Sequence, residues 1–398
     1  MPDVVDLAEA LIAQPSLTGA EAPAVDLAAR WLSERGWFVT LQELSPGRAN
    51  IWASHGHGAV TLSTHLDTVP PFIGPARSGN RLTGRGACDA KGIAAAMMVA
   101  AQTLADEGEK RVDLLFVIGE EKSSDGARAA NTLPATSRFL INGEPTEGSL
   151  ASGAKGSMLV TVRTAGRAAH SAYPELGASA LTPMLGLLST LAELDLPIDG
   201  TLGATTINVG TLNAGREANI VPDEAVAQLM VRLVSDPGDV RDILERWCVG
   251  RAQLDFAPHI PAQLFHTIPG FDTAPVSYTS DIPLLDVWGT PLLFGPGSIN
   301  VAHTPDEFIE MDELRAAQRE GGATIIAMNG SADFLADNGI RADVHVSIDA
   351  RESNARFIQR RTAGKYYLAS QCHPAMFDVA PNATLFHIAS ADLDAVPD

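Results

Sequence analysis

Seven side chains in six short segments carry the chemistry of this chain: His65, Asp89, Glu120, Glu121, Glu144, His170 and His303. The segments are Thr64-His-Leu-Asp-Thr-Val-Pro70, Gly84-Arg-Gly-Ala-Cys-Asp-Ala-Lys-Gly92, Gly119-Glu-Glu121, Gly143-Glu-Pro-Thr146, Ala169-His-Ser-Ala-Tyr-Pro174 and Ala302-His-Thr-Pro-Asp-Glu307. Each sets a side chain able to bind metal beside a turn-forming Gly or Pro, and each follows or lies close to a run that reads as buried strand. Imidazole and carboxylate together suit zinc or a similar divalent ion better than calcium or magnesium. Two such ions side by side carry four positive charges, which Asp89, Glu121, Glu144 and a bridging hydroxide would balance. Adjacent residues at a strand end point in opposite directions, so one of Glu120 and Glu121 can bind metal while the other faces substrate. A carboxylate left free beside metal-activated water is what a general base requires. Asp67 lies two residues beyond His65, returns to the same side and can accept the second imidazole N–H. Taken singly, each segment has a plainer reading: a strand-end histidine is commonly structural, a Glu-Glu pair is usually solvated, and Asp89 could cap the helix after it. The ordered occurrence of six points to a two-metal amide hydrolase.

The elements that must position these residues are legible from hydrophobic periodicity. Val4 to Ala13 and Glu21 to Arg35 read as helices separated by Pro15, and strands follow at Trp37–Leu41, Asn50–Ala53 and Val60–Thr64, the last running into His65. A buried helix begins after Gly92. Leu114–Ile118 and Phe139–Asn142 are apolar strands that deliver Gly119-Glu120-Glu121 and Glu144. Strands alternating with helices predict an α/β domain with a mostly parallel sheet covered on both faces. Ligands of such sheets gather beyond the strand C-termini, where these acidic residues fall.

From about Gly156 the pattern changes. Strand Ser157–Thr164, helix Ala178–Leu194, strands Thr205–Leu212 and Ala225–Val234, helix Val240–Val249 and strand Ala252–Phe256 spell β-α-β-β-α-β, a two-layer, ferredoxin-like inserted domain. The expected organisation is a catalytic domain over 1–155 and 265–318, interrupted by an insert over 156–264 and followed by a small α/β fragment over 319–398. In the fragment, Ala323–Asn329, Val344–Ile348 and Tyr366–Ala369 read as strands, with helical stretches around 332–338 and 355–361.

Composition narrows the class. A chain of 398 residues exceeds one ordinary core, and 45% apolar content with 35 Gly and 25 Pro fits a globular α/β protein. With 28 basic against 48 acidic side chains, the net charge of −20 argues against nucleic acid or an anionic membrane as partner. Three widely separated cysteines, Cys88, Cys248 and Cys372, make no disulfide framework, so a reducing cytoplasm is expected. No secretory signal is read at the N-terminus, and the apolar run Ile93 to Ala105 is too short to span a bilayer.

Other motifs carry less. His55-Gly-His57 reads as a surface hairpin, His259 and His266 as connector residues, Asp281 as a helix cap and Cys88 as a packing residue. Gly84 and Gly86 make no dinucleotide fingerprint, because no phosphate cradle accompanies them.

Residues 1 to about 318 resemble the dinuclear-zinc amidohydrolases that include acetylornithine deacetylase, succinyl-diaminopimelate desuccinylase, glutamate carboxypeptidase and aminoacylase, on the six segments above. The resemblance implies a catalytic domain holding two Zn²⁺ (Co²⁺ or Mn²⁺ as substitutes) and an inserted lid through which a homodimer forms. It implies His65, Asp89 and Glu144 as ligands of one ion, with Asp89 bridging to a second held by Glu121 and His303. Glu120 then looks like the general base and Asp67 like the partner of His65. His170 matches a histidine that polarises the scissile carbonyl in a neighbouring subunit's site. Asn219, in Ala-Asn-Ile-Val-Pro222, and Arg232 match positions that hold the substrate carboxylate, and Gly297 in Gly295-Pro-Gly297 approaches substrate through its backbone. The implied activity is hydrolysis of an N-acyl amino acid or small peptide amide. An exopeptidase or dipeptidase is the alternative, and a non-catalytic binding protein on the same fold is opposed by the intact Glu120 and five ligands.

Relatives continue from Asp-Glu-Leu into a long terminal helix, whereas here Leu314–Gln318 runs into Arg319-Glu-Gly-Gly322, which puts the formation of that helix in question. The tail is similar instead to a fragment of the 6-hydroxymethylpterin diphosphokinase-like family. That likeness rests on Asn329-Gly-Ser331, Gly339-Ile-Arg-Ala-Asp-Val-His-Val-Ser-Ile-Asp349 and Ala369-Ser-Gln-Cys-His-Pro374. A nucleotide- or sugar-phosphate-binding tail is a third reading.

Overall fold

The computed structural model describes residues 3–56, 58–268 and 271–320, and beyond them the strand segments 326–328, 342–347, 363–369 and 384–386. The chain divides into two compact units, Met1–Gly148 with Gly295–Asp398, and Ser149–Phe294. The cuts thus fall outside 156–264. Leu150–Ala154 explains why: it pairs antiparallel with Gln263–Leu264 and parallel with Thr273–Val276, so both flanks of the insert group with it.

In the first unit five strands lie in the order Phe38–Ser45, Arg48–Ser54, Val112–Val117, Val60–His65, Phe139–Asn142. Parallel pairing is confined to the last three. Phe38–Ser45 and Arg48–Ser54 form a hairpin closed by Pro46-Gly47, too short a connection for anything but antiparallel pairing, and the hairpin joins the sheet antiparallel through Val112–Val117. Arg48–Ser54 and Val60–His65 therefore flank Val112–Val117 and do not pair with each other, so the segment at His55 is no hairpin. His55 instead stacks on Trp37 with ring centroids 4.2 Å apart; His57 lies outside the described residues.

Val112–Val117 is buried at every position, as a central strand covered on both faces must be. The cover on one side is the helix Lys91–Asp106, whose Ala-rich surface is buried almost all round and packs on Val4–Ile12 and Met311–Glu320. That last helix does form, with Leu314 and Ala317 in the core. Its apolar residues Leu314 and Ala317, three apart, lie on one face in the core shared with Lys91–Asp106.

In the second unit, Thr206–Ala214, Glu224–Leu233, Gly156–Ala165 and Gln253–Phe256 form an antiparallel sheet in that order. Gly156–Ala165 buries alternate residues, and Met158, Val160 and Val162 share a core with Met184 and Leu187 of the helix Leu181–Leu188 and Val240 and Leu244 of the helix Pro237–Cys248. Asp236 caps the latter helix by accepting from the Gly238 N–H at 2.7 Å, with Pro237 in its first turn. The edge strand Thr206–Ala214 is exposed nearly throughout and carries an irregularity between Val209 and Thr211.

Beyond residue 325, four strands, Ile326–Met328, Ala342–Ser347, Ala363–Ala369 and Thr384–Phe386, pair in parallel in chain order. The motifs at 329–331 and 370–374 and the helical stretches read at 332–338 and 355–361 lie outside the described residues.

A short helix absent from the sequence reading, Asp125–Ala130, supports the turn after Val112–Val117. Asn50 is fully buried beneath it, donating to the Gly126 carbonyl at 2.8 Å and accepting from the Ile118 N–H at 3.1 Å. A Cβ on Gly126 would stand 2.3 Å from the Ile118 oxygen, whereas one on Gly186 would meet nothing within 4 Å. Gly126→Ala is therefore expected to lower the unfolding free energy by about 2 kcal/mol or more. Gly186→Ala, in a helix interior, should raise it by up to about 1 kcal/mol. Urea denaturation of the two variants checks both signs.

Candidate metal centre

His65 ends Val60–His65, and its neighbours in register are Val117 on one side and, through Ser63, Asn142 on the other. The parallel strands therefore release Glu120, Glu121 and Glu144 at the edge where His65 sits. His65 is buried, with Nε2 2.9 Å from Asp89 Oδ1 and Nδ1 3.0 Å from the Asp67 carbonyl oxygen. Asp67 thus reaches the ring through its backbone as well as through the expected carboxylate. Its carboxylate is 3.6 Å from Nδ1 and acts on the ring through charge, while the backbone carbonyl takes the hydrogen bond. The carboxylate accepts instead from Thr18 Oγ1 at 2.7 Å and from the N–H groups of Glu120 and Glu121 at 3.1 and 3.2 Å. Asp67 thereby pins the backbone of the paired glutamates to the loop that follows His65.

Asp89 precedes the helix Lys91–Asp106 but does not cap it; Ala90 holds the cap position without a side-chain bond. The Asp89 carboxylate lies between the two imidazoles, with Oδ2 3.4 Å from His303 Nε2. His303 adopts a left-handed backbone conformation, is half-exposed, and stands 3.1 Å from Glu121 Oε1. Two trios result, His65, Asp89 and Glu144, and Asp89, Glu121 and His303, in each of which one ligand atom per residue lies within 4.8 Å of the others. Ligand atoms about 2.1 Å from a tetrahedral ion sit roughly 3.4 Å apart, so each trio fits one ion after small side-chain adjustments. The donor set fits as well, one imidazole and two carboxylates each, with Asp89 common to both.

The electrostatics show the same convergence. Burial alone would lower His65, but the carboxylates of Asp67 and Asp89 and the nearby Glu120 charge raise it well above the ordinary histidine value. Burial opposes the Asp89 anion, yet His303 and His65 hold it well below the carboxylate range. The hydrogen bonds of Asp89 and Glu121 push His303 up to about 10 against its partial burial. Cys88 is driven far up by burial and by Asp89, and its Sγ donates to the Ser298 carbonyl at 3.3 Å, so the thiol is a packing group.

The remaining expected residues separate by unit. Gly297 lies in the first unit with φ of +81°, and a Cβ there would stand 2.7 Å from Cys88 Sγ. His170, Asn219 and Arg232 lie in the second unit. His170 and Asn219 are exposed on two neighbouring segments, bridged at His170 and Ile220, with the Ser171 N–H donating to the Asn219 carbonyl at 2.9 Å. Arg232 is partly buried, its Nη1 3.5 Å from Thr279 Oγ1. Asp281 occupies the position before the single turn Ile282–Leu284 but makes no side-chain capping bond. Residues with no local signal in the sequence support the segments that carry the metal ligands: Thr18, Arg85, Lys91 and Glu307. Lys91, pushed down to about 7 by burial, donates to the Gln14 carbonyl at 2.6 Å. Arg85, Lys91 and Glu307 lie within the six segments but with no spacing that marks them, and Thr18 lies in none.

Comparison with known proteins agrees with this geometry. Residues 61–325 match the family model described as peptidase family M20/M25/M40. The chain belongs to this family. Among family relatives, an M20 domain-containing protein of Schizosaccharomyces pombe is 38% identical over 78% of this chain and 81% of its own length. A probable carboxypeptidase of Aspergillus niger is 35% identical over 77% of this chain and 85% of its own. A solved tripeptidase of Staphylococcus aureus shares the fold with a TM-score of 0.65 at 20% identity, over 80% of this chain and 96% of that one. The M20 match closes at residue 325, just before the parallel tail sheet begins.

The raised His303 fixes a pH dependence for the M20 chain stripped of metal. In the unfolded chain His303 releases its proton near 6.5, and in the folded one near 10. Its contribution to stability is thus complete below about 6.5 and disappears as pH rises through about 10. Thermal melts of chelator-treated protein should show this loss between those values, and His303→Ala should flatten it.

Proposed function

We propose that this M20-family chain is a dinuclear metallopeptidase that hydrolyses an amide bond of a small peptide, acting as a carboxypeptidase or dipeptidase, with N-acyl amino acids as a second substrate class. The observation that carries the reading is the pair of trios sharing Asp89 beside a Glu120 whose backbone is held by Asp67. His65, Asp89 and Glu144 would hold one ion, and Asp89, Glu121 and His303 the other. Zinc suits this donor set best, with cobalt or manganese as substitutes. Two bound ions would supply an acidified water and a polarised carbonyl. Glu120 takes the proton of the water as it attacks the carbonyl carbon and returns that proton to the departing nitrogen. One new C–O bond forms, the C–N bond breaks, and acid and amine are the products.

The carboxypeptidase-like relative supports peptide over acyl substrates, while the six segments shared with deacylases support the second class. Asn219 and Arg232 would hold the free carboxylate that both classes carry, and the Gly297 backbone would line the substrate. His170 would donate to the carbonyl oxygen in the site of a partner copy, in a homodimer built through the exposed strand Thr206–Ala214. Free, buried Cys88 and Cys248 support a reducing compartment such as the cytoplasm. Among the described residues, no helix is long and apolar enough to cross a membrane. Among the described residues the two trios draw no ligand from beyond His303, and we assign the tail sheet no activity.

Glu120→Gln keeps the shape and removes the base. Turnover should fall by roughly a hundredfold or more with both metals retained; loss of metal would instead mean that Glu120 is a ligand and Glu121 the base. Hydrolysis of a panel of dipeptides, tripeptides and acetylated and succinylated amino acids ranks the two substrate classes.

Removal of one oxyanion donor costs on the order of 3 kcal/mol of transition-state stabilisation. His170→Ala should therefore bind metal normally and lose most of its turnover. Mixing His170→Ala with Glu120→Gln chains should restore part of the activity, since one hybrid site keeps both residues. No recovery with subunit exchange confirmed would place His170 in its own chain's site or outside catalysis.

A further inference from the structure

The two trios are held by different means. His65 and Glu144 stand at the ends of paired strands, where the sheet sets their positions. Asp89 and His303 stand in the segments 84–90 and 302–307, whose outer ends meet where Arg81–Thr83 pairs with Phe308–Glu310 and whose interiors are joined by Glu307, fully buried beside Arg85. Glu307 Oε1 accepts from the N–H groups of Gly86, Cys88 and Asp89 at 2.9, 3.1 and 3.2 Å. Its Oε2 meets Arg85 Nη1 at 2.6 Å. The Glu307 carbonyl also takes the Gly84 N–H at 3.0 Å. From the other side, Arg85 Nη1 donates to the Thr304 carbonyl at 3.2 Å and Nε to the Pro71 carbonyl at 3.4 Å. Asp89 is thus gripped at its own backbone N–H, and His303 at the residue directly after it.

We propose that Glu307, closed by Arg85, is a positioning residue that sets the separation of Asp89 and His303 and thereby the affinity of the Asp89–Glu121–His303 site for its ion. This rests on the two-ion reading above. A buried carboxylate that accepts three N–H bonds and one guanidinium holds four donors in one geometry, whereas strand pairing ties these segments only at one end, where Phe308 meets Thr83. Replacing groups that orient metal ligands typically weakens binding by about 10- to 100-fold. His65 and Glu144 take their positions from the sheet, so the loss should fall unequally on the two ions.

The experiment is calorimetric titration of the metal-free full chain with zinc, and separately with cobalt followed by its visible absorption, for wild type, Glu307→Gln and Arg85→Lys. Glu307→Gln keeps the oxygen that accepts the three N–H bonds and removes the charge that closes on Arg85. Arg85→Lys keeps the charge and loses the planar fork. Each variant should bind one ion with an affinity within about threefold of wild type and the other at least about tenfold more weakly. The cobalt band that grows with the second equivalent should shift or broaden, and added metal should restore turnover. Two constants that are unchanged, or that fall by the same factor, would overturn the inference and leave Glu307 a general support of the fold. Should Glu307→Gln fail to fold, the Arg85→Lys ratio decides by the same criterion. A wild-type chain that binds fewer than two ions would defeat the two-ion reading itself, a result distinct from either.

Discussion

The constraint on which the first unit depends is the crowding of like charge at one edge of its sheet. Asp67, Asp89 and Glu144 are buried there, and Glu120 and Glu121 lie alongside. Carboxylates so close in a medium poorer than water repel strongly unless cations or hydrogen-bond donors face them. The fold meets this in layers. Backbone N–H groups face Asp67 and Glu307, the Arg85 guanidinium closes on Glu307, and the imidazoles of His65 and His303 share Asp89. A further ion pair, Arg48 with Glu21 and Asp125, steadies the turn that presents Glu120 from outside the cluster. Metal ions would complete the same neutralisation at its centre.

Much of this site was legible in the sequence because three of its ligands, His65, Glu121 and Glu144, sit where parallel strands stop. An apolar run ending in a glycine and an acid states both the element and the edge at which the acid emerges, as at Val112–Val117 and Phe139–Asn142. What could not be read is orientation within a turn. The spacing of His65 and Asp67 shows that the two groups meet, but not whether the carbonyl or the carboxylate faces the ring. Nor does any local pattern announce Glu307, whose partners lie more than two hundred residues earlier in the chain. The helix Asp125–Ala130 was missed because six residues give too little periodicity to see.

The second unit was the more readable of the two. Alternation of period two survives in Gly156–Ala165 and Glu224–Leu233 because one face of that sheet is covered by two helices. Its flanks, expected in the catalytic domain, group with it for a related reason. The strand Leu150–Ala154 is short, contains Gly153, and draws its identity from pairing with segments more than a hundred residues away. In the first unit, the hairpin at Pro46-Gly47 turned a sheet expected to be mostly parallel into one parallel only where the ligands emerge.

The open edge at Thr206–Ala214 has a consequence of another kind. A bare strand offers its unpaired N–H and C=O groups to any extended segment, and a flat one can keep adding neighbours without limit. The step in register between Val209 and Thr211 interrupts that row, bending the strand so that only part of it can be matched by a straight newcomer. A second copy of the same bent strand, turned about a two-fold axis, brings the same bend to meet it and uses up both edges at once. The irregularity thus works against open-ended growth at this edge, and it does so through shape alone, whatever is bound elsewhere.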